Sequence, residues 1–269
     1  MSSPPSPGNR RSSSRRARGV EPGPVPSPAP GEPFPAPGEA FEDTTVDPPV
    51  RGVLHRASGT ARGGLVLTHG AGSHAGAPLL IALAGAFSAR GLAVLRCDLP
   101  YRQQRRTGPP RPGEAAIDRE GLRNALETLR RLAPTPHMAG GHSYGGRQAS
   151  MVAAESPGLA AALLLLSYPL HPPDRPAQLR TAHLPRLETP TLFVHGSRDP
   201  FGSPEEMERT RALIPARAEL LVADGAAHDL FHTRPASASA SALVDRVVEA
   251  FLAFAGLSPV TIAEHEDPR

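Results

Sequence analysis

Between an apolar segment ending near Met138 and a helix-spaced run from Arg147 to Glu155, the chain reads Gly140-Gly141-His142-Ser143-Tyr144-Gly145-Gly146. No other stretch restricts the fold as strongly. A strand that feeds a helix through so few residues must turn sharply, which strains the backbone of its central residue. The residues two before and two after it pass too close to other backbone to carry side chains, and here they are Gly141 and Gly145. Such a turn lifts the Ser143 hydroxyl above a sheet edge and aims the next backbone N–H at the same point. Alone, the string also describes an ordinary glycine-rich turn in a chain with 26 Gly. Its meaning depends on an earlier glycine loop and on an acid and a histidine, in that order, further along.

The remaining chain alternates strand-like and helix-like segments. Val50 to Ala57, Gly64 to Thr68 and Leu92 to Arg96 read as strands. Leu79, Leu80, Leu83, Ala84 and Phe87 mark a helix that Gly91 closes, and Leu122 to Leu132 mark another. Residues 101–113 are polar, Arg-rich and Pro-rich, and are expected to form a loop. Thr135 to Gly140 leads into the sharp turn. Ala161 to Ser167, with four consecutive leucines, predicts a strand buried on both faces. Thr191 to Val194 and Ala218 to Val222 are further strands, Glu205 to Ile214 a helix, and Leu243 to Leu252 stripe the last helix. This alternation predicts an α/β fold: a mostly parallel sheet with helices on both faces. Ligand sites in such sheets lie off the carboxyl ends of the strands.

Four features fall at those ends. They are Ser143, the loop His69-Gly70-Ala71-Gly72-Ser73, Asp199 in Gly196-Ser197-Arg198-Asp199-Pro200, and His228 in Asp224-Gly225-Ala226-Ala227-His228. A serine hydroxyl is a poor nucleophile at neutral pH, so a base must take its proton during attack. A neutral imidazole does this and later protonates the leaving group; a buried carboxylate fixes its tautomer and stabilises its charged form. Two backbone N–H groups must then meet the oxyanion. The candidates are Ser143 as nucleophile, His228 as base, Asp199 as acid, and the amides of Tyr144 and Ala71 as donors, with Gly72 an alternative to Ala71. Asp199 can instead be a helix cap, and Asp174 is the rival acid. His69 is expected to shape its loop by hydrogen bonding and His142 to pack. Tyr168, His171 and Arg175 lie where a pocket can form, although loop packing accounts for them too.

Composition sets the boundaries. Of 33 prolines, 13 fall in the first 50 residues. Residues 1–47 therefore read as a disordered Pro/Arg/Ser-rich tail, residues 48–257 as the folded domain and residues 258–269 as a short C-terminal tail. Arg10, Arg11, Arg15, Arg16 and Arg18 stand among the first 20 residues with no acid. Residues 1–20 therefore carry +5 and the remainder −2, giving the net charge of +3, and no nucleic-acid role is expected of the folded domain. Cys97 is the only cysteine, so no intrachain disulfide forms, and it reads as strand-end core. No run of 18 apolar residues suggests a membrane span, and the paired arginines have no apolar segment behind them, so a cytoplasmic location is expected. Metal-ligand spacing is absent, so no metal is expected, and acyl transfer by a serine, a histidine and an acid is expected to need no cofactor.

With those residues in place, the chain from about Arg51 to Ala255 resembles the α/β-hydrolase superfamily. Leu-Thr-His-Gly-Ala-Gly (67–72), Ser-Tyr-Pro-Leu-His (167–171) and Phe-Val-His-Gly-Ser-Arg-Asp (193–199) are similar to a small branch of predicted hydrolases related to dienelactone hydrolase. That branch's animal relatives include a testis-expressed protein and a subunit of a histone acetyltransferase complex. Dienelactone hydrolases use a cysteine nucleophile where this chain has Ser143, so their substrate does not carry over. Many superfamily members insert a lid after the strand that follows the sharp turn. Only Tyr168 to Pro190 stands there, too short for a lid domain, which implies an open site. The resemblance implies a serine hydrolase acting on a small-molecule carboxylic ester or thioester. The alternatives are a non-catalytic binding protein on the same scaffold and a peptidase or amidase.

Overall fold

The computed structural model describes residue 1, residues 38–230 and residues 238–257. Eight strands form one sheet: β1 (Glu39–Asp43), β2 (Val50–His55), β3 (Gly64–Thr68), β4 (Ala93–Asp98), β5 (His137–His142), β6 (Leu163–Leu166), β7 (Thr191–Gly196) and β8 (Ala218–Ala223). The helices are α1 (Pro78–Ala89), α2 (Pro100–Gln104), α3 (Glu114–Leu132), α4 (Tyr144–Glu155), α5 (Pro204–Arg211) and α6 (Ala238–Phe254). The spatial order is β1-β2-β4-β3-β5-β6-β7-β8. Both pairs made by β2 are antiparallel and every other pair is parallel. The chain starts a new direction at β3, which lies between β4 and β5, and crevices in such sheets open at that reversal.

The four leucines of β6 show why the centre is stable. Leu163 and Leu165 join the apolar cluster with α3 and α4, whereas Leu164 and Leu166 join the cluster with α1 and α6. Side chains alternate across a strand, so a continuous apolar run is what a two-faced strand requires. All four are fully buried, and burial of such a side chain contributes roughly 1.5–3 kcal/mol. Between β6 and β7 there is only a chain excursion with one 3-10 turn at Leu184–Arg186, and no lid domain.

Two local expectations differ from the structure. The ordered sheet begins at Glu39, inside the stretch expected to be tail. Phe41 lies opposite Gly52 and packs on the core, and the Asp43 carboxylate accepts from Thr45 N (3.0 Å), Thr128 Oγ1 (2.7 Å) and Arg131. These hydrogen bonds, led by Thr45 and Thr128, hold its pKa down at about 2. Composition averaged over neighbouring prolines hides such a strand. The expected loop at 101–113 instead opens with α2, in which Tyr101 and Arg102 are buried. The remainder of the tail, residues 2–37, and the expected C-terminal tail, 258–269, lie outside the described residues. Among the described residues no helix is long and apolar enough to cross a membrane.

Candidate active site

Ser143 stands between β5 and α4 with φ 50° and ψ −113°. A non-glycine residue there costs about 1–3 kcal/mol, so surrounding structure must hold it. The glycines flanking it show how tight the turn is. A Cβ on Gly141 would meet Thr68 Oγ1 at 2.5 Å, and one on Gly145 would meet it at 2.4 Å. The Ser143 amide donates to Leu166 O (2.8 Å), which pins the turn to β6.

His228, beyond the end of β8, reaches Ser143 Oγ with Nε2 at 2.8 Å. Its Nδ1 lies 2.8 Å and 3.0 Å from the two carboxylate oxygens of Asp199, which follows β7. A carboxylate only accepts, so Nδ1 carries the proton and Nε2 is free to accept the serine hydroxyl proton. The Asp199 side chain is fully buried, and its Oδ1 also accepts from Phe201 N at 2.9 Å. The Phe201 ring lies against the imidazole of His228, with centroids 4.3 Å apart. His195, buried beneath Asp199, donates from Nε2 to Gly202 O (2.8 Å), and burial holds its pKa down.

His142 does more than pack. Its Nε2 donates to the His228 carbonyl at 2.7 Å, and its ring sits 5.2 Å from that of His228. Burial lowers its pKa to about 4, so near neutral pH it stays an uncharged donor.

Across Ser143 lies the His69–Ser73 loop. A Cβ on Gly70 would stand 3.5 Å from Ser143 Cβ, so the loop passes directly against the serine. Gly70 O accepts from Ser73 N (3.0 Å) and His69 Nδ1 (2.9 Å). His69 Nε2 in turn accepts from Leu99 N (3.1 Å), which fixes its tautomer, and burial depresses its pKa. His69 thus shapes the loop as expected. Tyr144 is the first residue of α4, so its N–H has no acceptor within the helix. Neither it nor the Ala71 amide enters a turn hydrogen bond among the described residues. Three contributors had no sequence signal. Tyr101 Oη donates to Ala71 O (2.8 Å), Arg102 Nε donates to Ser73 O (2.7 Å), and the buried Asp118 of α3 accepts from Tyr144 Oη (2.7 Å).

The other candidates sit apart from this cluster. Asp174 is exposed and paired with Arg175 at 3.3 Å. Tyr168 and His171 are buried; Tyr168 Oη donates to Arg180 O at 2.6 Å and His171 bonds Pro172 O, so both pack their loop. Cys97 is core, and burial pushes its thiol up to about 12. No group of three metal-ligating side chains occurs among the described residues.

A mostly parallel sheet with helices on both faces, and a polar cluster at the strand ends, define the architecture of an α/β-hydrolase. The family profile described as alpha/beta hydrolase domain matches residues 61–256, and the chain belongs to that family. Solved structures share the fold at low identity. Dienelactone hydrolase from Anabaena variabilis is 22% identical, with 80% of this chain and 97% of that one covered and a TM-score of 0.63. Est1E from Butyrivibrio proteoclasticus is 15% identical, covering 82% and 100%, also at 0.63. An alpha-beta serine hydrolase homologue from Coxiella burnetii is 18% identical, covering 80% and 99%, at 0.60.

Proposed function

We propose that this protein is a serine hydrolase that cleaves a small carboxylic ester or thioester through an acyl-enzyme. The observation that carries the reading is the unbroken hydrogen-bond chain from Ser143 Oγ through His228 to Asp199, at 2.8 Å and 2.8 Å. Ser143 is the nucleophile of an elbow, His228 its base and Asp199 the acid that orients the imidazole. As Oγ attacks the carbonyl carbon, its proton moves to His228 Nε2 and the carbonyl oxygen becomes an oxyanion. The N–H groups of Ala71 and Tyr144 receive that charge; loss of one such donor typically costs about 3 kcal/mol of barrier. The tetrahedral adduct collapses, His228 returns its proton to the departing alkoxide or thiolate, and an acyl-serine remains. Water attacks that ester by the same route and frees the acid and Ser143.

The His228 side chain is 23% exposed and the excursion between β6 and β7 is short, which supports an open site and a small acyl group. Est1E, which shares this fold, has a structure with ferulic acid bound, and a small organic acid of that scale suits the proposal. The test is a fluorophosphonate probe applied to the intact protein and to Ser143→Ala. Labelling of the intact protein alone is expected. Equal labelling of both, or of neither, removes the mechanism. Turnover of p-nitrophenyl acetate but not of peptide anilides would separate an esterase from a peptidase.

A further inference from the structure

Asp118 is fully buried in α3 and makes no ion pair among the described residues, an expensive position for a carboxylate. It spends both oxygens on the segments beside Ser143. Oδ1 accepts from the Tyr101 backbone N–H at 3.0 Å, and Oδ2 accepts from Tyr144 Oη at 2.7 Å. The Tyr101 hydroxyl then reaches Ala71 O at 2.8 Å and Gly70 O at 3.2 Å. The two phenol rings meet edge to face, 5.9 Å apart.

The direction of these bonds matters. In a trans peptide the N–H points opposite to the C=O. Gly70 O is drawn inward by His69, Ser73 and Tyr101, so the Ala71 N–H is turned outward from them, on a loop that lies against Ser143. Tyr144, whose own N–H is the other donor, is anchored by its hydroxyl to the carboxylate that anchors Tyr101. Both donors therefore hang from one buried group.

We infer that Tyr101, Asp118 and the Tyr144 side chain form a positioning unit that sets the spacing and aim of the two oxyanion donors. The inference rests on the hydrolase reading above. In this role each of the three side chains acts through the backbone it holds. Burial pushes the Tyr101 phenol up to about 12 and raises that of Tyr144 further, so both remain protonated donors throughout the working range.

The experiment compares Tyr101→Phe and Tyr144→Phe with the intact protein. Each variant keeps its ring and loses one hydroxyl. Rates on p-nitrophenyl acetate, inhibition by phenylboronic acid and thermal unfolding are measured together. A boronate bound to Ser143 presents a tetrahedral oxygen to the same donors, so its affinity reports their aim. The expected result is a fall in kcat of about 10- to 100-fold, below the loss from deleting a donor outright, with KM within about twofold. Boronate affinity should fall in step with kcat, and Tm should move by only a few degrees. If Tyr101→Phe fails to fold, Tyr144→Phe carries the same expectation from the opposite arm. Full kcat in both variants, a change confined to KM, or unchanged boronate affinity overturns the positioning role while leaving the hydrolase standing. Intact protein that neither hydrolyses nor labels with fluorophosphonate removes the hydrolase reading, and this role with it.

Discussion

Ser143 is approached from two sides that are built differently. On one side His228 and Asp199 meet the serine through a series of direct side-chain bonds, each residue on a loop beyond a strand end. Their supports include Phe201 N and its ring, the His142 bond to the His228 carbonyl, and backbone bonds that tie the two loops together, such as Arg198 N to Ala226 O at 2.9 Å. On the other side the groups proposed to meet the oxyanion are backbone amides, and the side chains there hold the backbone from behind. Tyr101, Arg102, His69 and Asp118 grip carbonyls and one another away from the serine. A group that must gain and lose a proton needs a partner of matching chemistry in contact with it. A dipole that only points needs rigidity, and rigidity is distributed over many bonds. Damage to the first side should therefore cost more than damage to any single member of the second.

The largest test of that ordering is Ser143→Ala, which should lower kcat by about 10⁴- to 10⁶-fold on an ester that the intact protein turns over. Asp199→Asn should follow at roughly 10⁴-fold, because an amide at Nδ1 no longer selects the tautomer with Nε2 free. Steady-state kinetics on p-nitrophenyl acetate measures both. Tyr101→Phe is expected well below either. If Tyr101→Phe proved more damaging than Asp199→Asn, the ordering would be inverted, and the backbone donors would be the chief source of rate.

The two sides also differ in how far sequence alone exposes them. Ser143 is singled out in the sequence by the glycines around it, and Asp199 and His228 because each follows within a few residues a strand whose apolar residues are readable, Thr191–Gly196 and Ala218–Ala223. Alternating strands and helices likewise make the parallel sheet legible. The supports are not found this way, because they are defined by contacts between distant segments. Asp118 and Tyr144 are 26 residues apart, and Tyr101 and Ala71 are 30 apart. Nothing in an Arg-rich, Pro-rich stretch says that Tyr101 will be buried or that Arg102 will cap carbonyls. The β1 strand is hidden for a related reason: it is held by pairing with β2 and by Asp43 meeting Thr128 on α3, partners its own composition does not announce. His142 could be read only as packing, since its acceptor lies 86 residues away.

That last residue offers a probe of the His228 side. His142→Phe keeps an aromatic ring against His228 but removes the donor to its carbonyl. The His228 loop then loses the anchor on the His228 carbonyl itself. A fall in kcat of roughly 10-fold is expected, equivalent to about 1.4 kcal/mol, with KM little changed. An unaltered kcat would mean that Phe201 and Asp199 suffice to hold the imidazole, and that this side too is redundantly braced.

The smallest effect is on stability and concerns pH. The His142 pKa falls from 6.5 to about 4 on folding because burial penalises its charged form. Between those values the unfolded chain binds the proton and the folded chain does not, so acidification favours unfolding. The stabilising contribution is complete above the unfolded pKa and is withdrawn as pH drops from about 6.5 toward 4. Between pH 7.5 and 6 this histidine alone should remove about 0.8 kcal/mol, or roughly 2–3 °C of Tm for a domain of this size. His55 and His183 are lowered to about 4 by the same cause and add to the slope. They lie outside the cluster around Ser143, so His142→Phe should flatten the Tm-against-pH curve only in part. An unchanged slope in that variant would show that the imidazole takes up its proton while folded. The bond to the His228 carbonyl tolerates that, because a doubly protonated ring still donates from Nε2.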